Sequence, residues 1–308
     1  MSDDWFGRRV VVTGGSGFIG RAVVAALCER GAAVTVADRE PFPDTPGVRS
    51  VAGDLTDPEV RREAVAPGTT AIVHLAAVTS VLGSVDAPVR TFDDNVAVTQ
   101  GLLELARERA VARFVLASTN AVTGNVGTST IYEQLPLRPL TPYGATKAAC
   151  EMLMSGYAGA YGLGTCALRL TNVYGPGMSH KDSFVPRLMR AALSGDRVRI
   201  YGDGRQRRDL VHVDDVVAAM LAAVETDYSG TAIVGSGRSV SVLELVAAAR
   251  EATACPLPVD HVEAPAGEMP AVIVDTSRAA EALGYRSRVG LTDGLASTWQ
   301  YFRETGPA

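Results

Sequence analysis

The sequence predicts an α/β protein whose larger part is a doubly wound parallel sheet, followed by a smaller α/β domain. Short runs of β-branched apolar residues alternate with amphipathic helical segments over residues 1–170, which is typical of parallel strands joined by helices. These runs are continuously apolar, which indicates strands buried on both faces. With 308 residues, 47% of them hydrophobic, the chain can form one large or two modest cores.

The first strand, turn and helix form a phosphate-binding pattern. Residues 10–12 are a β-branched run that ends in Gly14, Gly17 and Gly20, and a helical segment follows at residues 21–29. Glycine lets the backbone approach a phosphate, and the N–H groups and dipole of a helix N-terminus attract an anion. Three glycines alone are equally compatible with an ordinary strand–turn–helix connection.

The second strand, residues 33–37, ends at Asp38. An acidic residue about 20 positions after the glycine turn suits hydrogen bonds to the two hydroxyls of an adenosine ribose. A carboxylate there repels the additional phosphate of NADP, so the sequence favours NAD. Arg39 complicates this prediction, since an arginine at the next position sometimes accepts that phosphate. The alternative for Asp38 is a polar strand end.

Three further strands follow, at residues 48–53, 71–77 and 113–117. Asp57 and Pro58 predict the start of a helix after the first of them, and residues 94–107 have helical periodicity. Ligands of such sheets bind beyond the carboxyl ends of the strands, where we expect Asp38, His74 and Ser118-Thr119. We interpret His74 as a satisfied strand-end histidine, because apolar residues flank it on both sides.

The predicted catalytic residues follow the fifth strand. Thr141 can cap a helix and Pro142 suits its first position. Tyr143 and Lys147 then lie on one face of that helix. An ammonium near a phenol favours the phenolate and lowers its pKa toward that of a working base. Of the 29 basic residues only Lys147 and Lys181 are lysines, which makes both of them candidates for positions where a compact ammonium is needed.

These motifs together resemble the extended short-chain dehydrogenase/reductase family, in particular its nucleotide-sugar epimerases and dehydratases of the UDP-galactose 4-epimerase type. The resemblance runs from about residue 9 to Leu283-Gly284-Tyr285. The motifs that carry it are Gly14, Gly17 and Gly20, Asp54-Leu55, His74-Leu75-Ala76-Ala77, Asn95, Ser118-Thr119, Tyr143 with Lys147, and the segments 168–177 and 201–215. It implies a Rossmann-type NAD-binding domain. Because the alternation weakens after residue 171, we expect that domain at 1–170 and a smaller substrate-binding domain at 171–308, with a helix near 213–225 returning to the first.

The resemblance also implies a mechanism. Tyr143 as phenolate takes a proton from a sugar hydroxyl while a hydride moves to the nicotinamide. Lys147 holds the nicotinamide ribose, and Thr119 hydrogen-bonds the reacting oxygen. The implied NAD contacts are Gly14, Gly17, Phe18, Ile19, Asp38, Arg39, Asp54, Leu55, Leu75, Ala76, Ala77, Asn95, Ser118, Tyr143 and Lys147. The implied substrate contacts are Thr79, Thr119, Asn120, Asn172, Lys181, Ser183, Phe184, Tyr201 and Arg208.

Three of these residues have more specific implied roles. Asn172 and Arg208 match positions that bind the diphosphate of the sugar nucleotide, and Tyr201 matches a position near its base. Lys181 could meet a phosphate or a sugar carboxylate, and a solvated surface lysine is an equal alternative.

Departures from the family pattern limit which reactions we expect the chain to catalyse. The 4,6-dehydratases place an Asp-Glu pair directly after the catalytic threonine, where this chain has Asn120-Ala121. Two readings remain: 4-epimerisation through a transient keto sugar with hydride return, or net turnover by an NAD(P)-dependent dehydrogenase or reductase of a sugar or other secondary alcohol. The second gains support because residues 264–268 lack the family's second phosphate-binding arginine. A catalytically silent dinucleotide-binding regulator would be expected to lose the Tyr143 and Lys147 pair.

Composition limits the possible partners. A net charge of −5 argues against nucleic acid, and no apolar run is long enough for a membrane span. The acidic N-terminus is no signal peptide, and four scattered cysteines show neither metal-ligand nor disulfide spacing, so we expect a cytoplasmic protein without a metal. The expected partners are a UDP- or TDP-linked sugar and, from the resemblance alone, a second copy in a homodimer.

Overall fold

The computed structural model describes residues 5–264 and 269–306. Its strands are β1 (Arg9–Thr13), β2 (Ala33–Asp38), β3 (Val48–Ala52), β4 (Ala71–His74), β5 (Arg113–Thr119), β6 (Thr130–Ile131), β7 (Gly164–Leu170), β8 (Asn172–Tyr174), β9 (Val198–Tyr201), β10 (Arg207–His212), β11 (Gly230–Val234), β12 (Ser239–Ser241), β13 (Val259–Val262) and β14 (Ile273–Val274). Its α-helices are α1 (Phe18–Glu29), α2 (Pro58–Ala64), α3 (Val81–Asp86), α4 (Pro88–Phe92), α5 (Val98–Glu108), α6 (Pro142–Tyr161), α7 (Phe184–Ser194), α8 (Val213–Glu225), α9 (Val242–Thr253), α10 (Ser277–Leu283) and α11 (Leu291–Thr305).

The main sheet has seven parallel strands in the order β11-β7-β5-β4-β1-β2-β3. The chain starts at β1, builds outward to β3, and then crosses to β4 on the other side of β1. The connections that leave β1 and β4 therefore diverge, and a crevice opens between the carboxyl ends of these two strands. This arrangement confirms the predicted doubly wound α/β class.

Helices cover both faces of this sheet. Apolar side chains of α1, α8 and α10 pack on one face, around Leu27, Met220 and Leu283. Those of α2, α5 and α6 pack on the other face, around Leu102 and Met154. Because both faces are buried, the strands read as continuous apolar runs in the sequence.

A second, smaller core holds α7, α9 and α11 together, around Leu188, Leu245 and Phe302. It packs with the three-stranded sheet β12-β10-β8 and the strand pair β13-β9. Residues 230–234, which we expected in the smaller domain, extend the main sheet as β11 alongside β7. None of the helices within residues 5–264 and 269–306 is long and apolar enough to cross a membrane.

Two local differences from the sequence prediction affect the site. β5 continues to Thr119, so Ser118 and Thr119 belong to the strand and their side chains point to opposite sides. The helix expected at 94–107 is divided into a π-helical turn, Asp93–Ala97, and α5. Such turns are frequent at functional sites.

Candidate active site

The glycine turn between β1 and α1 is built by close backbone contacts. Gly14 has φ +70°, and a Cβ there would lie 2.6 Å from the Ala76 nitrogen. A Cβ on Gly20 would lie 2.1 Å from the Gly14 carbonyl oxygen. Gly17, at the N-cap of α1, has no side chain to satisfy the first N–H groups of the helix. The turn therefore presents free donors and positive potential at the crevice.

Asp38 ends β2 beside this turn. Its Oδ2 accepts a hydrogen bond from the Ser16 N–H at 3.0 Å, and its Oδ1 accepts one from the Glu40 N–H at 3.2 Å. Arg39 follows and donates from Nε to Asp54 at 3.0 Å and from Nη2 to Asp94 at 2.6 Å. These contacts place Asp38, Arg39 and Asp54 together at one end of the crevice.

A cavity of about 520 Å³ runs along the crevice. The predicted NAD contacts that line it are Gly14, Gly17, Phe18, Ile19, Asp38, Arg39, Asp54, Leu55, Leu75, Ala76, Ala77, Ser118, Tyr143 and Lys147. The predicted substrate contacts that line it are Thr79, Thr119, Asn172, Lys181 and Ser183. The cavity therefore brings together most of the residues that the sequence selected.

Helix α6 carries the two main catalytic candidates. The Thr141 hydroxyl accepts a hydrogen bond from the Gly144 N–H at 3.3 Å, and Pro142 starts the helix, as the sequence predicted. Lys147 is buried, and its Nζ donates to the Ala117 carbonyl oxygen at 2.9 Å. Tyr143 shares a side-chain hydrogen bond with Thr119 at the end of β5. A hydroxyl, a phenol and an ammonium thus meet at one wall of the cavity.

The pKa of Tyr143 differs from the sequence expectation. Burial raises the pKa of this phenol above its usual value, and the Thr119 hydrogen bond opposes the rise. Burial also lowers the pKa of Lys147, which the charge of Glu151 opposes. The direction is opposite to the sequence expectation that Lys147 lowers the pKa of Tyr143, because loss of water around the buried phenol is the largest cause.

A buried network behind α6 was missed by the sequence analysis. Glu151 accepts hydrogen bonds from the Ser118 hydroxyl at 2.5 Å and from Arg169 Nη2 at 2.7 Å. Both ion-pair side chains are at most 4% exposed. The signal was present, since Glu151 lies one turn after Lys147 on the same helix face and Arg169 is a charge within an apolar strand. The hydroxyl of Ser118 thus points to Glu151.

Five predicted site residues do not line the cavity. Asn95 is buried under it, where its Oδ1 accepts from the Val78 N–H at 2.8 Å and its Nδ2 donates to the Thr146 hydroxyl at 3.0 Å. It holds the loop after β4 against α6, so its role is indirect. The other four residues are Asn120, Phe184, Tyr201 and Arg208.

These four side chains lie in different environments outside the cavity lining. The Asn120 amide is buried and donates to the Leu170 carbonyl oxygen at 3.4 Å. Phe184 packs into the smaller core, and Tyr201 is exposed on β9. Arg208 Nη1 donates to the Met269 carbonyl oxygen at 2.9 Å. The family's second arginine position falls at residues 265–268, outside the described part of the chain.

The segment that carries Lys181 is clamped against α7. Arg190 Nη1 donates to the Ser179 and Lys181 carbonyl oxygens at 2.9 and 3.0 Å. Arg187 pairs with Asp182, at 2.7 Å. The Lys181 side chain lines the cavity, and burial lowers its pKa. The clamp favours the interpretation of Lys181 as a cavity cation over a solvated lysine.

His74 has the structural role that the sequence suggested. Its Nδ1 and Nε2 lie 2.6 and 3.0 Å from the hydroxyls of Thr13 and Thr99. Burial and the charge of Lys147 lower its pKa to about 3. His74 is therefore neutral at physiological pH, with both ring nitrogens satisfied.

The residues at the crevice fit NAD. The glycine turn excludes side chains where a pyrophosphate would approach, and the Asp38 carboxylate lies where ribose hydroxyls would donate to it. Lys147 and Tyr143 lie at the opposite wall, on the side that a nicotinamide would occupy. When bound, NAD supplies the acceptor and donor of a hydride.

Comparisons with known proteins agree with this geometry. The family model of the "NAD dependent epimerase/dehydratase family" matches residues 10–235. A dTDP-glucose 4,6-dehydratase of Streptomyces niveus is 33% identical over 96% of this chain and 93% of its own length. The UDP-glucose 4-epimerase of Thermotoga maritima, solved with UDP-glucose, has a TM-score of 0.91 and 32% identity over 96% of this chain and 99% of its own.

A third similar protein, MoeE5, was solved with UDP-glucuronic acid and NAD. It has a TM-score of 0.87 and 36% identity over 96% of this chain and 99% of its own. Matches of this extent in sequence and structure, on a cavity that fits NAD, establish the family. The protein belongs to the NAD-dependent epimerase/dehydratase family of extended short-chain dehydrogenases/reductases, enzymes of nucleotide sugars whose cofactor is NAD.

Proposed function

We propose that this chain is a nucleotide-sugar 4-epimerase, which oxidises the sugar at C4 and returns the hydride to the opposite face. The observation that carries the proposal is the distribution of carboxylates. Among the described residues that line the cavity, the acidic side chains are Asp38, Asp54 and Asp94. Asp54 and Asp94 pair with Arg39, and Asp38 precedes Arg39 in the chain. The end with Thr119 and Tyr143 offers hydroxyls, amides and ammonium groups.

This distribution favours epimerisation over dehydration. Elimination of water needs one group that removes a carbon-bound proton and one that protonates the leaving hydroxyl. Asn120-Ala121 cannot provide this pair, and Glu151 is committed to Arg169 behind the cavity wall. A 4-epimerase needs only one base, because the same tyrosine takes the hydroxyl proton and returns it.

The residues of the chain have separate roles in the proposed reaction. Tyr143, deprotonated, would accept the proton of the sugar hydroxyl at Oη while the sugar carbon is oxidised. Thr119 donates to the same oxygen and stabilises the charge on it. Lys147, fixed by the Ala117 carbonyl oxygen, would hold the cofactor ribose. For the return step, Tyr143 gives the proton back to the inverted alkoxide.

The proposed substrate is a UDP- or TDP-linked sugar. Lys181, Asn172 and Ser183 line the cavity beyond the catalytic wall and supply a cation, an amide and a hydroxyl for a diphosphate or sugar carboxylate. Relatives named above act on dTDP-glucose or were solved with UDP-glucose or UDP-glucuronic acid, which supports this class.

An NAD(P)-dependent dehydrogenase or reductase is the second candidate. It is favoured by Arg208, which does not line the cavity, so that an expected diphosphate anchor is absent from the wall. Such an enzyme would change the amount of NADH with each turnover, whereas an epimerase would not.

One experiment separates these reactions. Purified protein with NAD is incubated with UDP-glucose, TDP-glucose, UDP-glucuronate and UDP-N-acetylglucosamine, and the product is followed by NMR together with absorbance of NADH. We expect a C4-inverted sugar without net NADH. Steady accumulation of NADH would establish the dehydrogenase, and a 4-keto-6-deoxy product from TDP-glucose would establish the dehydratase; either result overturns the proposal.

Tyr143→Phe is the matched variant. It removes the phenol oxygen and retains the ring, so we expect turnover to fall by about 100-fold or more while NAD binding persists. Tyr132→Phe, an exposed tyrosine outside the cavity, is the control. Turnover at the wild-type rate in Tyr143→Phe would contradict the assigned base.

Assembly as a homodimer and a cytoplasmic location are further proposals. Val89 and Phe92 on α4 and Met152 on α6 are more than half exposed, which provides apolar surface for a second copy. The mass of the protein in solution, measured by sedimentation, tests the dimer.

A further inference from the structure

Arg39 directly follows Asp38 and lines the cavity, a position from which a guanidinium can accept the 2′-phosphate of NADP. In this chain one edge of its guanidinium is already committed. Nε donates to Asp54 Oδ2 at 3.0 Å, and Nη2 donates to Asp94 Oδ1 at 2.6 Å. We call Arg39, Asp54 and Asp94 the Arg39 latch.

We propose that the latch determines the preference of this chain for NAD over NADP, because Asp54 and Asp94 occupy the guanidinium that would otherwise bind the 2′-phosphate. The proposal rests on NAD as the cofactor of the family and is independent of the proposed 4-epimerase reaction.

The geometry of the guanidinium supports this. Nε and Nη2 form the edge from which arginine makes two parallel hydrogen bonds to one phosphate. In the latch the two atoms of this edge donate to two different carboxylates. A phosphate could use this edge only by displacing both of them.

Burial makes the displacement costly. The Asp94 side chain is 7% exposed, and the second cation near it, Arg90, lies 3.4 Å from Oδ2 and is itself largely exposed. If Arg39 left Asp94, a buried carboxylate would lose its closer partner, which is strongly unfavourable. Asp54 and Asp94 also place two negative charges against Arg39, and these repel a phosphate dianion.

The chain offers a matched control for Asp94. Asp93 is the preceding residue of the same π-helical turn and is exposed. It does not line the cavity of about 520 Å³ that holds the predicted NAD contacts, and it lines a neighbouring cavity of about 810 Å³ on the other side of the latch residues. A change from Asp to Asn at 93 removes the same charge within one residue of the latch. It leaves both hydrogen bonds of Arg39 in place.

The test measures the dissociation constants of NAD⁺ and NADP⁺ by calorimetric titration of the protein as purified without added nucleotide. The variants are Asp94→Asn, Asp54→Asn and the control Asp93→Asn, with circular dichroism to confirm folding. We expect the ratio of Kd for NADP⁺ to Kd for NAD⁺ to fall about tenfold or more in the first two. It should keep its wild-type value in the control. If Asp94→Asn does not fold, Asp54→Asn still decides, because Asp54 is about half exposed.

Arg39→Gln in the Asp94→Asn background completes the test. Since the gain in NADP⁺ affinity is assigned to the released guanidinium, this second change should return the ratio to its wild-type value. A wild-type ratio in both Asp94→Asn and Asp54→Asn would overturn the proposal. So would a gain that survives Arg39→Gln, since it would then come from general charge and not from Arg39.

Discussion

At the scale of single residues, the Thr119 hydroxyl acts on the pKa of the buried Tyr143. Burial raises the pKa of Tyr143, and of the groups around it the hydrogen bond from Thr119 lowers that pKa. Lys147 lies on the same helix face, but its Nζ donates to the Ala117 carbonyl oxygen. Thr119 therefore favours the phenolate in this structure. In the proposed reaction its single hydroxyl proton turns to the reacting oxygen when the substrate binds.

The first residue-scale prediction concerns Thr119→Val, which keeps the shape of the side chain and removes its hydroxyl. Without this hydrogen bond the pKa of Tyr143 rises further, so less phenolate is present at neutral pH. We expect the acidic limb of the pH–rate profile to move to higher pH and turnover at pH 7 to fall about tenfold.

Thr119→Ser is the control, because it retains the hydroxyl and should keep the limb near its wild-type position. Profiles of kcat against pH for the three proteins provide the measurement. If the acidic limbs of Thr119→Val and wild type coincide, Thr119 does not act on Tyr143.

At the scale of elements, the catalytic wall depends on how α6 is fixed against β5 and β7. Tyr143, Lys147 and Glu151 follow one another along a single face of α6. Glu151 joins that face to Ser118 of β5 and to Arg169 of β7. The buried pair therefore sets the position of the helix that carries the candidate base.

The element-scale prediction is that Arg169→Met is strongly destabilising. It leaves the Glu151 carboxylate buried without its cation, for which we expect a loss of about 3–5 kcal/mol in the free energy of unfolding. Arg187→Met, which breaks the exposed pair with Asp182, should cost at most about 1 kcal/mol. Urea unfolding curves measure both.

The double variant Arg169→Met with Glu151→Met tests the cause. Since the cost comes from the unpaired charge, removal of both groups should recover much of the loss. Equal losses in Arg169→Met and Arg187→Met would show that the buried pair does not support the helix.

At the scale of the whole molecule, His74 links global stability to pH. Its pKa is about 3 in the folded protein and about 6.5 in an unfolded chain. Below pH 6.5 the unfolded state binds a proton that the folded state does not, so stability falls as the pH decreases toward 3. Burial also lowers the pKa of His212, which contributes with the same sign.

We therefore expect His74 alone to remove about 2 kcal/mol of stability between pH 6.5 and pH 5. His74→Gln, measured by urea unfolding at a series of pH values, should show a smaller loss over this range than wild type. The exposed His261→Gln is the control and should keep the wild-type slope. An unchanged slope in His74→Gln would show that His74 does not hold its neutral form in the fold.

Local patterns determined much of this protein in the sequence itself. The doubly wound parallel class, the glycine turn, Asp38 at the end of β2, the cap at Thr141 and the Tyr143 and Lys147 spacing each depend on neighbouring residues and on the periods of strands and helices. The sequence alone also led to the family and to NAD. Lys181 could also be selected from the sequence, because it is one of only two lysines, before its position in the cavity was known.

Only the tertiary structure decided which side chains meet across long separations. Arg39 reaches Asp94 over 55 residues, and Arg208 donates to the carbonyl oxygen of Met269, 61 residues later. Strand β11 joins the main sheet although it follows the start of the smaller core. Such contacts depend on how sheets and helices pack and on the cost of burying a charge without a partner. Neither the packing nor this cost can be predicted from the residues that are neighbours along the chain.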